Sequence, residues 1–376
     1  GWRKELADKA QAAQAAGQKG NYSEAIRLLK EAKAKAPLSP QEEQGINELM
    51  IWAASGAKDN RLVIETVDER LATGRVSGAD LVRKLRLKAT TQYALKDYRG
   101  AADTLGKLGA QGALTADDLT MLANCQMVLK DYRSAPSTIE KAIAANSKAG
   151  RGAKNAALLK MLASVYSDTK NEAKLKETLI RLMTVAPDKD YFRVLAGVFE
   201  KESTKDPVVM INVYRLGAQK GLLSGEQFGK YAEAALDLSS PGEAVAMLEK
   251  GMAAGAIKKD DRNNRILADA KSQVERLKTT IVQQEKEAVA TKNGENETKL
   301  ATGFFTLRNY AKAAEAAQRA VTEGNSRRPD DAAMLLGVAL VNLKKTTDAK
   351  KAFASAAAAN KGACKDIASL WASIAG

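Results

Sequence analysis

The sequence predicts an all-α protein, a single continuous array of stacked helix pairs, and three observations carry this. The segment Leu95-Lys96-Asp97-Tyr98-Arg99-Gly100-Ala101 recurs as Leu129-Lys130-Asp131-Tyr132-Arg133-Ser134-Ala135, displaced by 34 residues with one substitution. That is the period of a helix-turn-helix repeat. The chain holds 69 alanines but only 5% aromatic residues, a composition for close-packed helices and not for strands. Finally, Leu267, Ala270, Val274, Leu277, Ile281, Gln284 and Ala288 follow one another by steps of three and four, which places an apolar stripe on one helix of about 30 residues.

Echoes of the repeat extend it to both ends: Gly20-Asn21-Tyr22-Ser23-Glu24-Ala25 and Arg308-Asn309-Tyr310-Ala311-Lys312-Ala313. Small residues recur twelve apart as Ala13/Ala25, Ala89/Ala101, Ala123/Ala135, Ala301/Ala313 and Gly337/Ala349. Helices that approach to about 8–10 Å need a missing side chain where they cross. Another small residue follows seven positions later, as Ala32, Ala142, Ala320 and Ala356, and Pro37 and Pro187 stop units. This pattern resembles the tetratricopeptide repeat family. The resemblance implies a right-handed superhelix (solenoid) of about ten helix pairs, with function in the groove lined by the first helix of each pair.

Taken in order, the second helices open at 25, 63, 101, 135, 175, 208, 244, 313 and 349, with Val63, Leu175 and Val208 in the alanine slot. Lys88 and Gln92 stand where large apolar residues are expected. Asn146 to Gly152 reads as a flexible basic loop, and Asn325 to Asp330 as a link. The long helix fills the double-length gap between 244 and 313, packing along the array or docking a partner, with Gln284 then setting register. Asn293-Gly294 ends it. The tail from Cys364 to Ala375 reads as a capping helix over the last apolar face, and Trp2 does the same at the other end. The resulting division is an array over 1–257, a long helix over 258–292, and further repeats with the capping helix over 293–376.

Chemistry is narrowed mainly by what is missing. With no histidine in the sequence, Ser-His-Asp or Cys-His nucleophile activation and His-ligated zinc are excluded. Cys125 and Cys364 are too far apart in sequence for a redox or metal motif, and Cys125, beside a crossing alanine, reads as a small buried hydrophobe. No phosphate-binding or nucleophile-elbow motif occurs. The pairs Asp117-Asp118, Asp260-Asp261 and Asp330-Asp331 sit at helix starts, where acids favour the dipole. We therefore expect a non-enzyme with no cofactor and no metal.

By the resemblance, the groove positions are Trp52, Arg83, Arg86, Tyr93, Asn124, Met127, Lys160, Arg193 and Phe305. Arg83 and Arg86 share a helix face, where a guanidinium pair clamps a carboxylate of an acidic peptide. The lysine-and-asparagine carboxylate clamp of one variant of the family is not in register here. The net charge of +14 is interleaved along the chain, so nucleic acid ranks last among partners. Attraction to an acidic protein or to anionic lipid headgroups ranks above it.

The expected function is a scaffold or adaptor that binds a protein or peptide. The alternative is a periplasmic carrier holding a lipid or other apolar small molecule against Trp52, Met127, Val128 and Phe305. No apolar run is long enough to span a bilayer. The opening Gly1-Trp2-Arg3-Lys4 lacks an initiator Met, as expected of a processed chain. The style of Lys220-Gly221-Leu222-Leu223 and Glu249-Lys250-Gly251-Met252 resembles bacterial cell-envelope repeat proteins that accompany transport machinery. That resemblance implies a periplasmic or outer-membrane-associated location, with the cytoplasm as the alternative.

Overall fold

The 34-residue period is a helix–turn–helix unit in the computed structural model, which describes residues 1–203, 206–359 and 362–374. Among the described residues there are twenty α-helices and no strand. They fall into two compact units, residues 1–169 and 170–376, whereas the sequence drew its divisions at 257 and 292.

In the first unit, α1 (Lys4–Gln18) pairs with α2 (Tyr22–Lys33), α3 (Pro40–Gly56) with α4 (Asn60–Ala72), α5 (Gly78–Ala94) with α6 (Tyr98–Ala110), and α7 (Ala116–Val128) with α8 (Ala135–Lys148). Helix α9 (Asn155–Asp168) follows. One turn design serves every pair. The first helix stops at a residue in the left-handed region: Gly20 (φ 81°), Lys58 (57°), Lys96 (60°) and Lys130 (55°). A side chain there costs about 1–2 kcal/mol, offset by backbone bonds that satisfy the last carbonyls, such as Lys96 N to Tyr93 O at 2.9 Å and Asp97 N to Gln92 O at 2.9 Å. The next residue, Asn21, Asp59 or Asp97, then caps the second helix by accepting the N–H three positions on.

The crossing residues behave as the spacing requires. Ala13, Ala25, Ala89, Ala101, Ala123 and Ala135 are fully buried. Gln92 is buried as well, accepting from Thr104 Oγ1 at 2.7 Å across the pair, so a polar bond replaces the expected apolar contact. Lys88 reaches Asp68. The flexible loop expected from Asn146 is shorter than predicted, because α8 runs on to Lys148. Asn146 is buried there, donating to Asn155 Oδ1 at 3.1 Å.

Consecutive pairs are joined through capping boxes. Ser39 and Glu42 close the start of α3, and Arg3 bonds Glu42 through its backbone N–H (2.8 Å) and Nε (3.0 Å). These donors, led by the Arg3 side chain, hold the Glu42 carboxyl down at about 2. Thr115 and Asp118 close α7 in the same way, and Arg86 of α5 grips Asp118 with Nε and Nη2 at 3.0 and 2.9 Å.

The second unit contains α10 (Glu172–Val185), α11 (Lys189–Glu202), α12 (Pro207–Gln219), α13 (Gly225–Asp237), α14 (Pro241–Ala253), α15 (Asp261–Thr291), α16 (Gly294–Thr306), α17 (Tyr310–Glu323), α18 (Pro329–Asn342), α19 (Thr346–Ala359) and α20 (Ala363–Ile374). The predicted capping helix is α20; position 375 lies outside the described residues. Helix α15 is the predicted long helix and packs between α14 and α16. Its stripe buries Ala270, Ile281 and Ala288, and Ile281 fits over Gly303, where a Cβ would leave it no room. Gln284 is exposed and donates to Thr280 Oγ1 of its own helix at 3.1 Å.

Helix α20 does more than cover α19. It folds back against α10 and α12, where the fully buried Trp371 stacks on Phe353 at 5.3 Å and donates from Nε1 to the Asn212 carbonyl at 2.9 Å. Helix α12 is consequently enclosed, every residue from Val208 to Gly217 being buried. Its Arg215 is held by Glu243 at 2.9 and 2.7 Å and by Asn212 at 3.2 Å; Tyr231 Oη also donates to Glu243 at 2.6 Å. A fully bonded buried pair of this kind avoids the large penalty of an unpaired interior charge.

Candidate protein-interaction face

The first helices of successive pairs lie side by side in the first unit, α1 against α3, α5 against α7 and α7 against α9, and together they present one face. Trp52 on α3 lies on it, 37% exposed, with its ring over Gly17 of α1 and edge-on to Tyr22 at 5.8 Å. Gly17 has no alternative, since a Cβ would enter the indole. Trp2 covers Gly45 of α3 in the same manner.

Further along, Tyr93 of α5 packs edge-on to Tyr98 at 5.5 Å and meets the Asn124 amide of α7. Burial pushes the Tyr93 phenol up, with the Asn124 bond opposing. Met127 lies half-buried one turn beyond Asn124, and Val128 beside it is 56% exposed. Trp52, Tyr93, Asn124 and Met127 therefore lie on one face of mixed aromatic, amide and thioether character. Such side chains offer contact area at low conformational cost together with a few polar handles.

The other predicted residues are placed differently. Arg83 is exposed and bonds Asp80 of its own helix at 3.1 Å. Arg86 is committed to Asp118 and to the Ala113 carbonyl at 2.8 Å. The expected two-arginine clamp is thus not built, because one guanidinium already joins two repeats. Lys160 lies half-buried on α9. Arg193 is exposed on α11 and Phe305 belongs to α16, both in the second unit.

Phe305 is a correction. It is buried, edge-on to Tyr310 at 5.3 Å and beneath the Arg215 guanidinium at 4.7 Å. The corresponding face of the second unit is covered in part by its own chain, for Met334 and Val338 are buried too. Two cavities adjoin it, one of about 180 Å³ lined by Arg215, Tyr231, Glu243, Phe305 and Asn342, the other of about 510 Å³ lined by Val208, Leu277, Thr298, Thr302 and Asp331. Sequence reasoning missed Arg215 and Glu243, the one signal being Arg215, a lone charge in the otherwise uncharged α12.

The chemistry of the cysteines points away from nucleophiles. Burial pushes the Cys125 thiol up to about 11. Cys364 is pushed up to about 12 by burial and by its bond to Asp330. Among the described residues no cluster of three or more His, Cys, Asp or Glu could hold a metal ion, and no helix is long and apolar enough to cross a membrane.

Small residues twelve apart meet at the crossing of each pair: Ala13 with Ala25, Ala89 with Ala101, Ala123 with Ala135, Ala301 with Ala313, and Gly337 with Ala349, where Gly337 admits the Phe353 ring. The fold is of the tetratricopeptide-repeat type. No protein-family model and no curated protein matches the chain. Among solved structures, it is similar to a tetratricopeptide repeat protein from Parabacteroides merdae, at 13% identity over 72% of this chain and 100% of that one, with a TM-score of 0.37. It is also similar to the TPR2AB domain of yeast Sti1, whose structure is a complex with pHSP90, at 13% identity over 79% and 99% of the two chains, TM-score 0.27. A third is from the Naa15/Naa10 structure bound to HypK-THB, at 15% identity over 94% and 68%, TM-score 0.32.

Proposed function

We propose that the chain is a non-enzymatic scaffold that holds a protein segment, a peptide or a helix, on the face carrying Trp52, Tyr93, Asn124 and Met127. One observation supports this reading above the others. The first-helix face of residues 1–169 carries a tryptophan that is 37% exposed, while on the equivalent face of residues 170–376 Phe305 is buried beneath Arg215 of α12. An aromatic held in place by a glycine floor is preorganised for contact, which lowers the cost of binding. The carrier reading loses one of its lining residues, since Phe305 is interior.

A role in a bacterial envelope complex or transport system rests on the repeat style at 220–223 and 249–252 alone, and cell fractionation tests it. The binding face is tested in the full chain by photo-crosslinking in cells from Thr90 and Met127, with Ser137 on α8 as the outer control. Adducts to one protein from the first two positions, abolished by Tyr93→Ala with Asn124→Ala, are expected. Equal yields from Ser137 would show that the face was wrongly chosen.

A further inference from the structure

The turns that join the two helices of each pair all lie at one edge of the first unit, and that edge has a repeated charge pattern. Lys58 and Arg61, Lys96 and Arg99, and Lys130 and Arg133 are the same two positions of three successive repeats. All six are exposed, and among the described residues none of the six has an ion-pair partner. Each lysine occupies the left-handed position of its turn, where glycine is free of strain and a lysine is not. The acids at these tips, Asp59, Asp97 and Asp131, are turned onto the backbone N–H groups of Leu62, Gly100 and Ser134. Asp168 accepts from Tyr132 Oη at 2.9 Å. Glu65 and Asp103 stand one turn beyond Arg61 and Arg99 on the same helices, with Cβ atoms about 6 Å away, and form no ion pair with them.

The opposite edge contrasts with this one. There Arg3, Arg75, Arg86 and Arg151 are each paired, with Glu42, Glu43, Asp118 and Asp117. The basic edge also carries exposed apolar side chains: Leu95 and Leu129, 43% and 38% exposed, stand immediately before Lys96 and Lys130. Cations alternating with protruding leucines suit a surface that is anionic outside and apolar just beneath. Nucleic acid offers phosphates to the cations but nothing to the leucines, and the tyrosines of these turns are already engaged, Tyr98 edge-on to Tyr93 and Tyr132 bonded to Asp168.

We propose that this edge of residues 1–169 is a docking surface for a bilayer containing anionic lipids. Lysine and arginine side chains at the turns would lie among the headgroups, with Leu95 and Leu129 entering the boundary of the acyl region. The attraction would depend on salt, since a surface potential decays over about a Debye length, ~10 Å at 0.1 M.

The test is flotation of the full chain with vesicles of phosphatidylcholine containing 30 mol% phosphatidylglycerol, against phosphatidylcholine alone, in about 50 mM salt. The expected result is binding to the anionic vesicles only. Combining Lys58→Gln, Lys96→Gln, Arg99→Gln and Lys130→Gln should lower the partition coefficient at least a hundredfold, at about fivefold per cation, with unchanged helicity. A control of equal charge, Lys30→Gln, Lys107→Gln, Lys141→Gln and Lys148→Gln on the second helices, should retain most of the binding. Equal loss in both variants would overturn the proposal in favour of a diffuse field. Failure of the wild type to float, or binding of a 20-nucleotide single strand that outcompetes the vesicles, would overturn it as well.

Discussion

Replacing Trp371 by alanine tests whether α20 is a lid on the repeat before it or a closure of the whole second unit. The indole is fully buried, stacks on Phe353 and bonds the Asn212 carbonyl from 159 residues away. Loss of a buried aromatic of this size costs about 3–5 kcal/mol, and loss of a buried hydrogen bond, to a carbonyl inside α12, adds about 1 kcal/mol. We expect a loss near 5 kcal/mol for Trp371→Ala, and about 1–2 kcal/mol for Trp371→Phe, which keeps the stack and removes the N–H. For a unit of about 200 residues, 1 kcal/mol moves Tm by ~2–4 °C, so the alanine variant should lose 10 °C or more. Hydrogen exchange read by mass spectrometry assigns the effect to its place. Protection should fall across α10, α12, α19 and α20 together and stay unchanged in residues 1–169. A loss confined to α19 and α20, or below about 1 kcal/mol, would refute closure.

Two further outcomes follow from single side chains. Gly17→Ala should push the Trp52 ring off α1 at about 1–3 kcal/mol; of three 15N-indole signals, only that of Trp52 should move substantially, and binding on that face should weaken. Asp331, beside Arg215 and Arg328, has its carboxyl raised by burial to about 6. A raised carboxyl binds a proton more tightly in the folded state, so the contribution of Asp331 to stability falls as pH rises from about 4 to 6 and is level above. Asp331→Asn should therefore stabilise the chain by about 1–3 kcal/mol at pH 8 and by little at pH 3.5, as read by urea unfolding at the two values.

The helix pairs could be read in advance because their information is local and repeated. The alanines at 89, 101, 123 and 135 mark the crossings, and Val63, Leu175 and Val208 fill the same slot with buried apolar bulk. The stripe of α15 was visible for the same reason. Periodicity did not reveal which faces the chain would cover itself. Phe305 falls on a groove position by register, yet it lies beneath a guanidinium contributed by a helix some ninety residues earlier in the sequence. Arg86 reads as an exposed cation until Asp118, 32 residues on, supplies its partner. Gly17 and Gly45 were a usable signal for the tryptophans, since a glycine inside a helix costs about 1 kcal/mol and calls for a packing reason.

Contacts between neighbours let a stack grow as the chain is synthesised, each pair settling on the one before. By that route α1 to α8 can mature behind the ribosome. Helix α12 cannot, because one of its sides stays bare until Trp371 has been translated, 159 residues later. A ribosome that stalls between these positions would leave an apolar helix uncovered, the kind of surface that chaperones and proteases recognise. The arrival of α20 is thereby written into the core of residues 170–376, and a product cut short before it would identify itself.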